Sequence, residues 1–123
     1  MLHTMQAYAE LLRFEIFNRF GGFKRIHQSV RNMPVARRSA KPEIVAQICD
    51  AVTLASCFFW KPVLCLPRAA ATTRLLRKHG VKAEMVIGYR PSPFFSHAWV
   101  EVEGAIVNDS PAYQQRLLVL DRL

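Results

Sequence analysis

Three residues in this chain have the types and the order that nucleophilic thiol chemistry needs: Cys65, His97 and Asp109. That chemistry takes a thiol that can ionise, an imidazole to move its proton, and a carboxylate to hold the imidazole in place. Cys65 is followed by Leu66-Pro67-Arg68 and then by strong helix formers as far as His79, with Gly80 as the stop. Proline lacks an N–H and is welcome only in the first turn of a helix, so Cys65 is expected at or just before the N-terminus. The positive end of the helix dipole favours a thiolate there, and the Cys65 backbone N–H becomes a natural oxyanion donor. Cys49 and Cys57 fall within an apolar helical stretch instead, where thiols behave as small inert hydrophobes.

His97 and Asp109 lie on either side of a turn signal, Glu103-Gly104. If Val102, Glu103 and Gly104 form a three-residue loop with a G1-type bulge, His97 and Asp109 become cross-strand neighbours, with Cβ atoms roughly 4.5–5.5 Å apart. A two-residue Glu103-Gly104 loop shifts the register by one and sends the two side chains to opposite faces. The bulged loop is preferred, because it also gathers Ala98, Val100, Val102 and Ile106 on one apolar face.

Each of these residues also has an ordinary reading. Buried cysteines are commonly inert, strand histidines are usually structural, and an aspartate before Ser110-Pro111 suits a turn. Trp99 shares a face with His97 and reads as a wall of the site or as core. Trp60 is a candidate second oxyanion donor through its indole N–H. His79, beside Gly80, reads as a helix C-terminal residue, and His3 and His27 carry no usable signal.

The elements that must position these groups follow from periodicity. Helical spacing covers 4–20, interrupted by Gly21-Gly22, and a short helix is expected over 23–32, ended by Pro34. The basic connector 35–42, with Arg37, Arg38 and Lys41, reads as an exposed loop. A third helix starts near Pro42 or Glu43 and runs to about Phe59, broken by Lys61-Pro62. Beyond Gly80 the period changes to two, giving strands at 83–89, 97–102 and 105–109, with 91–96 as a loop. The tail from Tyr113 to Leu120 reads as a last edge strand or a loop. The fold class is α+β, with N-terminal helices ahead of a nucleophile helix packed on a small antiparallel sheet. At 123 residues, one domain is expected, with 1–42 as its helical region and 43–123 as its catalytic core.

Composition bounds the function. Hydrophobic residues make up 51%, enough for a core, and the net charge of +8 favours acidic partners. The N-terminus lacks the pattern of a secretion signal, and the longest apolar stretch, 44–60, is interrupted by Gln47 and Asp50 and too short to span a bilayer. Three cysteines with no Cys-x-x-Cys pair argue against a disulfide framework and a structural zinc site, so a cytoplasmic home is expected. No P-loop or metal motif appears, so neither cofactor nor metal is expected.

Four strings carry a family resemblance: Cys65-Leu-Pro-Arg-Ala, Leu75-Leu-Arg-Lys-His-Gly80, Val86-Ile-Gly-Tyr and His97-Ala-Trp-Val-Glu-Val-Glu-Gly. Together they resemble the transglutaminase-like leader peptidases of lasso-peptide biosynthesis, closely over 60–110. The resemblance implies a transglutaminase-like, papain-like core with Cys65 as nucleophile, His97 as general base and Asp109 as orienting carboxylate. It implies removal of the leader from a ribosomally made precursor, so that a partner cyclase can close the ring. Some members carry a fused leader-recognition module; the first 40 residues here read as helices, so a separate recognition protein is expected to deliver the leader. Ser96 stands before His97, where alanine is the expectation.

Two other functions remain open at this level. The same triad could pass the acyl group to an amine instead of water. A non-enzymatic basic module for nucleic acid would use the positive charge, though the aromatics are not interleaved with the basic 24–41 segment as a stacking platform requires, and no nucleic acid is expected. The basic connector could equally help to dock an acidic leader.

Overall fold

A computed structural model describes residues 2–20, 22–34, 42–60, 63–91, 93–109 and 112–123. The expected breaks at Gly21 and Lys61-Pro62, and the basic residues Arg37, Arg38 and Lys41, lie outside these residues.

Four helices come first: α1 (Leu2–Phe20), α2 (Gly22–Arg31), α3 (Pro42–Cys57) and α4 (Cys65–Lys78). Strands β1 (Ala83–Pro91), β2 (Phe94–Val102) and β3 (Ala105–Ile106) follow, then a short α5 (Tyr113–Arg116) and β4 (Leu118–Arg122). The α+β class holds. The sheet is antiparallel with order β3-β2-β1-β4, so β3 and β4 are its edges.

Helix α4 presents Ala69, Ala70, Ala71, Leu75 and Leu76, all fully buried, to one continuous core. Leu11 and Phe14 of α1, Ile26 and Val30 of α2, Ile48 and Val52 of α3, and Met85, Ala98 and Val100 of the sheet complete that core. The three alanines have little side chain, so α4 can lie close against its neighbours. At its far end Gly80 takes φ 80°, which glycine reaches without a Cβ clash. The N–H of Gly80 then bonds Arg77 O at 3.1 Å and that of Val81 bonds Leu76 O at 3.0 Å, a Schellman closure. Arg77 beside it is buried, and its guanidinium donates to the carbonyls of Val30, Met33, Ala83 and Leu123.

Three expectations change. Segment 91–96 is not a loop: β1 runs to Pro91 and β2 starts at Phe94, which pair across a two-residue connection. Phe94 and Phe95 are good strand formers, and a proline at a hairpin's end gives up no needed ladder bond. The tail divides into α5 and an edge strand that begins at Leu118. The second hairpin has the two-residue turn: Val102 pairs with Ala105 and Glu101 with Ile106. Glu103 at φ 53° and Gly104 at φ 80° give two left-handed positions in a row, as a type I′ turn requires. Its twist matches the strands, and Gln114 Nε2 fastens it by donating to Gly104 O at 2.8 Å.

Candidate functional site

Cys65 is the first residue of α4, with Leu64 as N-cap in an extended conformation (φ −75°, ψ 165°). The first backbone bond of the helix runs from Arg68 N to Leu64 O at 3.1 Å. Hence the N–H groups of Cys65 and Leu66 have no acceptor within the helix, and Pro67 has no N–H to leave unpaired. The thiol is half-buried against the core. Of the other cysteines, Cys49 has its thiol pushed up to about 11 by burial and by the neighbouring Asp50, so it stays protonated at neutral pH. Cys57 is exposed at the end of α3.

His97 stands in the middle of β2, not at its start. Along that strand Ala98 and Val100 join the core under α4, whereas Trp99 packs with Val86 and Leu117 on the opposite face. His97 has the parity of Trp99. Its ring lies between Phe95, at 6.2 Å between centroids, and Trp99, at 6.4 Å, both nearly parallel to it. These neighbours restrict the imidazole's rotation.

The two-residue turn sets the β2–β3 ladder so that, continued, it would bring Asp109 opposite Ala98. Asp109 reaches His97 because the strand stops at Ile106. Val107 N still bonds Val100 O at 3.0 Å, but Val100 N is taken by the Asn108 side-chain oxygen at 2.9 Å. The chain then bends along the β2 edge, and His97 Nε2 donates to Asp109 Oδ2 at 2.8 Å. Both groups are well shielded, with side chains 14% and 20% exposed. With Nε2 committed to the carboxylate, Nδ1 is the ring nitrogen turned away from Asp109. The pairing expected from sequence therefore forms by a different route.

The same Oδ2 accepts a second bond, from Arg68 Nη2 at 3.3 Å. Arg68 is one helical turn beyond Cys65, so helix, carboxylate and imidazole meet at one corner of the fold. The tie between helix and carboxylate is made by Arg68, not by the thiol. Arg68 stands in one of the strings that carry the family resemblance, but the sequence reading gave it no role, although its spacing of three residues from Cys65 on a helix was visible.

The two tryptophans occupy different settings. Trp99 is fully buried and its indole N–H donates to Glu101 Oε2 at 2.8 Å. Burial would raise the Glu101 carboxyl, but bonds from Trp99, Arg122 and Gln114 hold it below the usual range, so it remains an ionised acceptor. Trp60 is 62% exposed in the turn after α3, stacked on Phe59 at 4.2 Å. Among the described residues no cluster of three or more His, Cys, Asp or Glu side chains could hold a metal, and no helix is long and apolar enough to cross a membrane.

Residues 9–122 match the Transglutaminase-like superfamily, most of the chain and all of the elements just described except the start of α1. The chain belongs to the transglutaminase-like superfamily. Over 56 residues it is also 43% identical to the microcin J25-processing protein McjB of Escherichia coli, a stretch covering 46% of this chain. That stretch is 27% of McjB, so the similarity spans about a quarter of the relative's length. No solved structure gives a significant match. Within this transglutaminase-like chain, a half-buried cysteine at a helix start lies one turn from Arg68, whose guanidinium bonds a carboxylate already bound to an imidazole.

Proposed function

We propose that this transglutaminase-like protein is a cysteine peptidase that removes the leader from a ribosomally made lasso-peptide precursor. The observation that carries the reading is the His97–Asp109 hydrogen bond, joined by Arg68 to the first turn of the helix that Cys65 opens. Its similarity to a microcin J25-processing protein supports the substrate class.

The chemistry follows from the groups at hand. Cys65 Sγ, its proton taken by His97, attacks the scissile carbonyl, and the Cys65 N–H at the helix start, which has no acceptor within the helix, receives the developing oxyanion. His97, held by Asp109, returns the proton to the leaving amine and the peptide bond breaks. Water, activated by the same imidazole, then opens the thioester and releases the thiol. Exposed Phe58, Trp60 and Leu64, just ahead of the nucleophile in sequence, offer an apolar surface for an extended peptide. A separate leader-recognition protein would bring the precursor, and a cyclase would take the freed core.

The test is to mix the chain with leader-bearing precursor and the recognition protein and to follow the products by mass spectrometry. Wild type should release the leader, and Cys65→Ala should lose at least roughly a thousandfold in rate. Cleavage that survives Cys65→Ala would refute the reading. A product joined to an added free amine would assign amide transfer instead.

A further inference from the structure

Asp109 Oδ2 serves two donors at once, His97 Nε2 at 2.8 Å and Arg68 Nη2 at 3.3 Å. Sheet packing alone does not fix this carboxylate. The face of β2 that packs under α4 is that of Ala98 and Val100, and His97 belongs to the other parity. The segment carrying Asp109 has left the ladder; the Val107 N–H and the Asn108 side chain join it to Val100, and the Val107 side chain packs on the main core. At the carboxylate itself the tie to the helix that bears the thiol is polar. Arg68 makes it directly, from the turn next to Cys65, with side chains 33% and 20% exposed across the pair.

We infer that Arg68 is a positioning residue of the site: it clamps the Asp109 carboxylate to the first turn of the Cys65 helix, and so ties the imidazole held by that carboxylate to the element that bears the thiol. Given the peptidase activity proposed above, on which this role rests, Arg68 touches no reacting atom and acts through Asp109. Its planar fork suits the task. A guanidinium can lie along a carboxylate edge already occupied by an imidazole N–H, whereas a lysine reaches the oxygen as a single point charge.

A second carboxylate in the fold is shared in the same way. Asp121 takes His27 Nε2 at 3.1 Å and Arg31 Nη2 at 2.9 Å, joining α2 to β4. No cysteine lies in either element, so this cluster serves as an internal control for the loss of an arginine–aspartate pair.

The experiment uses the intact chain and needs no substrate. Iodoacetamide consumes the thiolate, and digestion with mass spectrometry reads the rate at Cys65 and Cys57 separately. In wild type, Cys65 should react faster than Cys57, and His97→Ala should slow it. Arg68→Met should slow Cys65 roughly tenfold, the scale of one lost charge-assisted bond. Arg68→Lys should restore most of that rate, and Arg31→Met should leave Cys65 unchanged. In an Asp109→Asn background, Arg68→Met should slow Cys65 no further, because the two act as one unit.

If wild-type Cys65 reacts no faster than Cys57 and is indifferent to His97→Ala, the peptidase reading itself falls. If Cys65 depends on His97 while Arg68→Met leaves its rate intact, the role of Arg68 is overturned and the peptidase reading stands. Fully additive losses from Arg68→Met and Asp109→Asn would overturn it as well. So would slowing that tracks a fall in the thermal unfolding midpoint and is not rescued by lysine.

Discussion

Glu10 is the most heavily engaged acid of the helical layer, its side chain 5% exposed and bound by Arg74 Nε at 3.0 Å and by the Lys78 ammonium. Burial pushes its carboxyl up, but hydrogen bonds and charge from Lys78 and Arg74 outweigh that and hold it below the usual value of 4.5. A carboxyl depressed in the folded state stabilises the protein at pH above its unfolded value and loses that contribution as pH falls through the folded value. The unfolding midpoint should therefore drop on acidification below about pH 4.5, and Glu10→Gln should flatten that acid limb. The same substitution leaves Arg74 buried without its carboxylate, at a cost on the order of 2–4 kcal/mol near neutral pH. An acid limb unchanged in Glu10→Gln, followed by thermal denaturation across pH, would assign the sensitivity elsewhere. Among the thiols, local setting separates roles in the same way. Sequence distinguished Cys65 from Cys49 by helix position, and burial beside Asp50, which pushes the Cys49 thiol up to about 11, gives a physical reason to expect Cys49 to be inert.

At the scale of elements, Gly88 of β1 pairs with His97 of β2 and lies under the Trp99 ring. A Cβ at this position would lie 2.5 Å from Trp99 Cη2, 2.7 Å from Cζ3 and 3.0 Å from the Leu117 Cβ. The Trp99 ring covers the glycine and stacks beside the imidazole. Gly88→Ala should cost about 1–3 kcal/mol, and, by pushing Trp99 against His97, should lower kcat. Urea denaturation followed by tryptophan fluorescence would read the first effect and precursor cleavage the second, and an unchanged midpoint would mean the ring has room to retreat. The helices were legible in the sequence because their signals are local: Pro67 fixes the start of α4 and Gly80 its end. The hairpin register was not. Choosing between a bulged and a two-residue loop depended on whether Glu103 would accept a positive φ, and side-chain pattern says little about that. The His97–Asp109 pair was foreseen on the wrong register, since an irregular bend after Ile106 leaves no periodic trace. Arg68 was hidden for another reason: a basic residue on a helix usually marks a solvated face, and its partner lies 41 positions away.

Over the whole molecule, one core joins α1–α4 to the inner face of the sheet, while the second cluster, Val86, Trp99 and Leu117, seals the outer face. Most of the chain's cohesion lies in the first. Segment 107–109 belongs to neither layer as a strand, because β3 has only two residues and the ladder ends with it. The segment is held by its bonds to Val100, by Val107 against the core and by the Asp109 bonds to His97 and Arg68, and breaking these few contacts needs far less free energy than global unfolding. Amide hydrogens there should exchange well ahead of those in α4. Each opening carries Asp109 away from its partners, so on heating, turnover should decline before the far-ultraviolet helix signal does. Loss of both signals together would tie the segment to the core instead. If the proposed peptidase activity holds, such a chain should have a warm range in which it is folded but idle, and should recover on cooling without having to refold.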